Sequence, residues 1–181
     1  MYNKLNSNCE LPLQVLKFAG WYPERSVDYS SIEKSYQEKG CIINTYAKIF
    51  FEQFYGIKSM WFFKWKDRNN RWKIGGQDFY FEILGRFDEI DRNRLPLEEQ
   101  KNATPLGFFG FHNPGTLWVS ETGTFYITYD YDEENVPNYK SAFDFLEKVL
   151  SFPSKEIFVT FDKQEQTNEW HKYYTPPKKK E

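Results

Sequence analysis

The only two imidazoles of this chain, His112 and His171, stand far apart, and neither has a cysteine or a second histidine beside it. A zinc site needs three or four Cys, His or carboxylate ligands brought together at short spacing, so no metal is expected. A nucleophilic Cys–His pair is formally available through Cys9 or Cys41, but no local signature surrounds either thiol. The run Phe111-His112-Asn113-Pro114-Gly115 reads first as a tight turn. The rival reading makes His112 an acid–base group working with Glu121 or Asp130. No phosphate-cradling glycine loop, dinucleotide fingerprint or nucleophile elbow occurs. The chemistry-bearing residues therefore predict no enzyme and no cofactor.

Two other clusters suit recognition better than reaction. Asp130, Tyr131, Asp132, Glu133 and Glu134 set four carboxylates around one phenol. They lack the glycine and terminal glutamate of a calcium loop. They suit a solvated turn, or a surface that steers a basic partner. The stretch 64–73 holds Lys64, Trp65, Lys66, Arg68, Arg71, Trp72 and Lys73 against the single acid Asp67. Charges around a turn protect a hairpin edge from mispairing. The same residues, with Trp65, Arg68, Arg71 and Trp72 foremost, could bind a partner protein, or stack and pair with single-stranded nucleic acid.

These clusters must be held by elements legible from periodicity. Pro12 suits a first helical turn, with Leu13, Leu16 and Ala19 on one face and Gly20 where a left-handed C-terminal glycine belongs. Pro23 then stiffens the link. Asp28 or Ser30 caps a second helix that ends at Gly40. A third helix is predicted over 42–55, with Ile42, Tyr46, Ile49, Phe50 and Phe54 inward. The period then changes. Residues 57–65 read as a strand, DRNNR as its turn, and 71–75 as the returning strand. Residues 79–84 fit strand or helix, and a short helix is predicted near 96–101. TLWVS and TFYITY form a hairpin around Gly123. A late amphipathic helix over 141–150, capped by Ser141, turns Phe143, Leu146, Val149 and Leu150 inward. Residues 156–161 add a strand. Helices, then strands, then a helix define an α+β fold with a central antiparallel or mixed sheet.

Composition bounds the rest. The chain has 181 residues, which predicts one domain with a loose N-terminus over 1–9, a body over 10–162 and a polar extension over 163–181. Aromatic residues make up 20% of it, so either the rings pack an ordinary core with their oxygens and indole nitrogens at its rim, or some are exposed and face partners. Twenty-four basic and 26 acidic residues leave a net charge of −2. That balance excludes a generally basic nucleic-acid coat and a strongly acidic DNA mimic. The polar start and short apolar runs predict neither signal peptide nor membrane span, and two distant cysteines suit a reducing cytoplasm.

The N-terminal pattern AGW-x-P-x-R-x-V-D, carried by Ala19, Gly20, Trp21, Pro23, Arg25, Val27 and Asp28, resembles the third subfamily of the SUKH immunity proteins. So does the order of later motifs. Pro105-Leu106-Gly107 matches a turn before a hairpin of the form LWV-x-E-x-G-x-FY, here Leu117, Trp118, Val119, Glu121, Gly123, Phe125 and Tyr126. Ser120 stands where those proteins often carry aspartate. Residues 141–150 match their final helix. The resemblance implies a SUKH-like single domain, non-catalytic, with the late helix packed on the sheet. It implies a bacterial, cytoplasmic partner-binding protein that neutralises the cognate domain of a polymorphic toxin, a nuclease or deaminase, by occlusion. The alternative it leaves is a regulatory interaction module of the same fold. No membrane or nucleic-acid partner is implied. Gly20, Trp21, Pro23, Arg25, Asp28, Gly107 and Gly123 are its structural residues. For Arg25 the reading is a guanidinium that bonds the end of the first helix and pairs with a carboxylate. The alternative is direct contact with the partner.

Overall fold

A computed structural model describes residues 13, 16, 17, 19–83, 86, 87, 90–110, 115–131, 136–150, 157 and 158. Within these only the backbone is described at 59–66, 72, 74–77, 149, 150, 157 and 158. The architecture is α+β. Three helices, α1 (Ser30–Glu38), α2 (Thr45–Phe54) and α3 (Ala142–Leu150), accompany seven strands among the described residues. The strands are β1 (Lys58–Lys66), β2 (Trp72–Tyr80), β3 (Thr104–Phe109), β4 (Gly115–Val119), β5 (Phe125–Tyr129), β6 (Asn138–Tyr139) and β7 (Ile157–Phe158). They form one sheet in the order β6-β5-β4-β3-β2-β1-β7, antiparallel at every pairing. Six strands therefore meander across the sheet, and the seventh returns to the outer side of the first.

Side-chain alternation gives the sheet two different faces. On one, Leu117, Val119, Phe125, Ile127, Phe79 and Phe109 meet α2 through Ala47, Phe50, Phe51 and Phe54. The rings interlock: Phe50 lies 4.9 Å from Phe54 and 5.0 Å from Phe81, the latter edge-on. The phenol of Tyr36, on α1, donates to the carbonyl of Pro105 at 2.6 Å. Ala142, Phe145 and Leu146 bring α3 into the same core. On the opposite face Trp118 is fully buried with Leu95 and Ala103 under the long connection between β2 and β3. Its indole donates to Thr128 at 2.9 Å, and the guanidinium of Arg92 sits 5.6 Å from its ring.

Several elements differ from the sequence expectation. The third predicted helix begins at Thr45, not at 42, because Asn44 caps it by accepting from the Ala47 amide at 2.9 Å. The later start changes the inward face. Ala47 and Phe51 are buried with Phe50 and Phe54, whereas Ile42 and Tyr46 are exposed. The predicted helix near 96–101 is a series of turns, and a 3-10 turn at Arg92–Arg94 precedes it in the same connection. Pro105-Leu106-Gly107 is no turn. It lies inside β3, where a bulge shifts the register between Pro105 and Gly107. Residues 79 and 80 of the ambiguous 79–84 run are the end of β2. On α3, Ala142, Phe145 and Leu146 are buried and Phe143 is half-buried, while the side chains of Val149 and Leu150 lie outside the described residues. Ser141 does cap it, accepting from Asp144 at 3.1 Å, while Asp144 returns the favour to the Lys140 amide at 3.0 Å.

Candidate partner-binding surface

Residues 19–28, AGWYPERSVD, form a corner built against the end of α2. Gly20 has φ of +96° and, with Trp21, ends the leading helical residues: its amide donates to Lys17 at 3.0 Å and that of Trp21 to Leu16 at 2.9 Å. The Trp21 ring then stacks on Phe54, 6.1 Å between centroids, and meets Phe143 edge-on. Pro23 occupies the second position of a turn closed by the Arg25 amide donating to Tyr22 at 3.0 Å. Arg25 donates to the carbonyls of Gln53 at 2.6 Å and Tyr55 at 2.7 Å. These carbonyls belong to the C-terminal end of α2, not to the first helix, which corrects the expected target. The positive guanidinium sits where the helix presents unsatisfied carbonyls and partial negative charge. Burial lowers its pKa, and the two charge-assisted bonds offset that cost. Val27 continues the docking by donating to Glu52 at 2.9 Å. Asp28 accepts from the Ser30 amide at 2.8 Å, and this bond holds its carboxyl below the ordinary carboxylate value. Tyr29, the residue at the helix cap position, contributes no side-chain bond.

Behind this corner lies an open cleft of about 410 Å³, lined by Asp28, Tyr29, Ser30, Glu33 and Glu52. Three carboxylates face one phenol. Burial, then Glu52, Glu33 and Asp28, raise the pKa of Tyr29. A second cleft of about 270 Å³ adjoins it through Glu33 and is lined by Cys41, Ile42 and Lys48. Lys48 stands 3.9 Å from Glu33, between the two. Ile42, exposed, is the apolar residue of that second cleft most open to solvent. Sequence reasoning missed this surface. Its signal was the pair Glu33 and Glu52 on two helices whose packing side by side could not be deduced from the sequence.

The other expected residues fall elsewhere. Asp130 and Tyr131 follow β5 and are exposed, Tyr131 by 62%, with its ring 5.3 Å from Tyr129. Asp132, Glu133 and Glu134 lie outside the described residues, as do His112, His171 and Cys9. Cys41 is a buried free thiol. Arg68 and Arg71 are exposed at the β1–β2 turn. Asp67 organises that turn, accepting from the amides of Asn69 and Arg71 at 2.9 Å each, and Asn70 takes a φ of +59°. Trp65 pairs with Lys73 and Lys66 with Trp72, so alternation puts positions 65 and 72 on opposite faces of the ribbon. Gly107 and Gly123 are structural. A Cβ on Gly107 would collide with the carbonyl oxygen of Tyr80, and one on Gly123 would sit 2.6 Å from the ring of Tyr46. Ser120 orders the same hairpin turn, its hydroxyl accepting from Thr122 at 3.2 Å and Thr124 at 3.1 Å.

Among the described residues no group of three His, Cys, Asp or Glu could hold a metal ion, and no helix is long and apolar enough to cross a membrane. Compared with known proteins, the chain matches no protein-family model, no curated protein and no solved structure.

Proposed function

We propose that this chain is a SUKH-like immunity protein that binds a cognate bacterial toxin domain in the cytoplasm and neutralises it by covering its working cleft. One observation carries the reading. The signature residues Gly20, Trp21, Pro23, Arg25 and Asp28 converge on a single corner that locks the chain to the end of α2. The acidic cleft of Asp28, Glu33 and Glu52 opens beside that lock. A pre-ordered acidic surface suits a nuclease or deaminase domain, whose substrate cleft is positively charged. Holding Glu33 and Glu52 on two helices, with Asp28 just before the first of them, limits the ordering cost of binding.

The mechanism needs no bond made or broken. Steering by the carboxylates raises the encounter rate, and buried aromatic or arginine anchors slow dissociation. The test is co-expression with candidate toxin domains, beginning with any secreted protein's C-terminal domain found in the adjacent reading frame. Growth should be restored, and restored equally by the His112→Ala variant. Failure to restore growth, or loss of rescue in His112→Ala with the chain still folded, would contradict the proposal.

A further inference from the structure

The β1–β2 ribbon extends past the rest of the sheet. Nine residue pairs join its strands, from Lys58 with Tyr80 to Lys66 with Trp72. Only Phe79 and Tyr80 continue into β3, and only Phe62 and Phe63 pair with β7. Among the described residues, 72–77 thus have no neighbouring strand on the β3 side.

The direction of the unpaired groups follows from two hydrogen bonds. Gly110 donates to the carbonyl of Asp78 at 3.0 Å, so position 78 points its backbone groups toward β3. Asp67 donates to the carbonyl of Arg71 at 2.9 Å, so position 71 points toward β1. A strand residue sends its N–H and C=O to the same side, and the side alternates along the chain. Trp72, Ile74 and Gly76 therefore direct their N–H and C=O outward, in the spacing of a ladder. Glycines at 75 and 76 leave no Cβ to obstruct a neighbour there.

The hairpin turn beside this edge is predominantly basic. Lys64, Lys66, Arg68, Arg71 and Lys73 outnumber the one acid, Asp67, in a chain whose net charge is −2. Asp67 is already engaged by two amides and by Lys73 at 3.9 Å.

We propose that the outer edge of β2 is a strand-addition site for an extended acidic segment of a partner protein, an inference that rests on the protein-binding reading above. The edge offers donors and acceptors in turn, which a polypeptide backbone matches. A phosphate backbone offers acceptors alone, and would leave the carbonyls of positions 72, 74 and 76 opposed to oxygen. Positions 65 and 72 lie on opposite faces of the ribbon.

The test uses the full chain and a fluorescent peptide of alternating Glu and Val, read by anisotropy at low salt. Saturable binding is expected, and a Lys–Val peptide of equal length should bind more weakly. Ile74→Pro removes one outward donor while leaving the β1 ladder intact, and should weaken the peptide about tenfold or more. Arg68→Glu with Arg71→Glu should weaken it further. Should Ile74→Pro fail to fold, amide exchange on the unaltered chain decides: adding peptide must slow Trp72, Ile74 and Gly76. Absence of saturable binding, unchanged affinity in folded Ile74→Pro, unslowed amides, tighter binding of oligouridine, or a self-associated edge that excludes the peptide would each overturn the proposal. A chain that neutralises its toxin yet ignores the peptide refutes this edge alone. A chain that binds the peptide here yet neutralises no toxin refutes the toxin reading alone.

Discussion

The guanidinium of Arg25 donates to the carbonyl of Gln53 at 2.6 Å, across a separation of 28 residues. With the parallel bond to Tyr55 it ties the corner after the leading helix to the end of α2. Arg25→Ala should lower unfolding stability by about 2–4 kcal/mol, because two carbonyls lose charge-assisted donors. Urea unfolding measures this. Arg25→Lys should recover only part of the loss, since an ammonium lacks the planar fork. Unaltered stability with reduced partner affinity would instead make Arg25 a contact residue.

Asn44 is a buried polar junction. Its amide nitrogen donates to the carbonyl of Val119 at 3.0 Å while its oxygen caps α2, and its own N–H meets the Thr104 hydroxyl at 3.0 Å. Asn44→Ala should destabilise by roughly 2–3 kcal/mol, the sum of a lost cap and an unsatisfied carbonyl. Thermal unfolding with the Thr104→Val variant and the double variant would show the two losses to be coupled, less than additive.

Gly107→Ala should be worse tolerated than Gly123→Ala. At Gly107 the new methyl meets the backbone carbonyl of Tyr80, which cannot move without disturbing the end of β2. At Gly123 the obstacle is a side-chain ring that can turn, although φ of +86° adds strain of about 1–2 kcal/mol. Soluble yield and melting temperature of the two variants should rank accordingly.

Stability should decline in alkali. Burial, with Tyr139 and Tyr131 nearby, raises the pKa of Tyr129 from 10.0 to about 12, and burial pushes that of Tyr36 well above its ordinary value. Between these limits the unfolded chain releases phenolic protons that the folded chain retains. Fewer protons bound in the unfolded state means that stability decreases as pH rises. The urea midpoint should hold to about pH 9.5 and fall from pH 10 toward 12. Tyr129→Phe should reduce the slope. A midpoint unchanged through pH 11 would contradict this assignment.

Charge reversal on the acidic cleft separates steering from anchoring. Glu33→Lys with Glu52→Lys should slow association with the toxin about tenfold at low salt and less at high salt, with dissociation little affected. Stopped-flow mixing reads both rates. An unaffected association rate would move the contact surface elsewhere.

Elements with strong period or punctuation were legible in the sequence: the Gly20 and Gly40 helix ends, the DRNNR turn, the hairpin around Gly123 and the Ser141 cap. The start of α2 was not, because Ile42 and Tyr46 continue the helical period while Asn44, whose cap depends on β3 and β4, fixes the boundary. Pro105-Leu106-Gly107 has turn composition, yet the glycine is needed for close approach to Tyr80. Arg25 was placed at a helix end correctly but at the wrong helix, since the sequence does not tell which end lies beside the corner. The acidic cleft and the outer edge of β2 depend on packing between distant segments, and local pattern carries neither.

The proposed occlusion requires that this protein occupy its partner and transform nothing. Purified chain titrated into the purified toxin domain, with the toxin's own activity as readout, separates occlusion from turnover. Under occlusion, activity falls in proportion to added chain and vanishes at one equivalent, with no dependence on incubation time once binding is complete. Progressive inactivation by trace amounts of chain, or full toxin activity at excess chain, would contradict it.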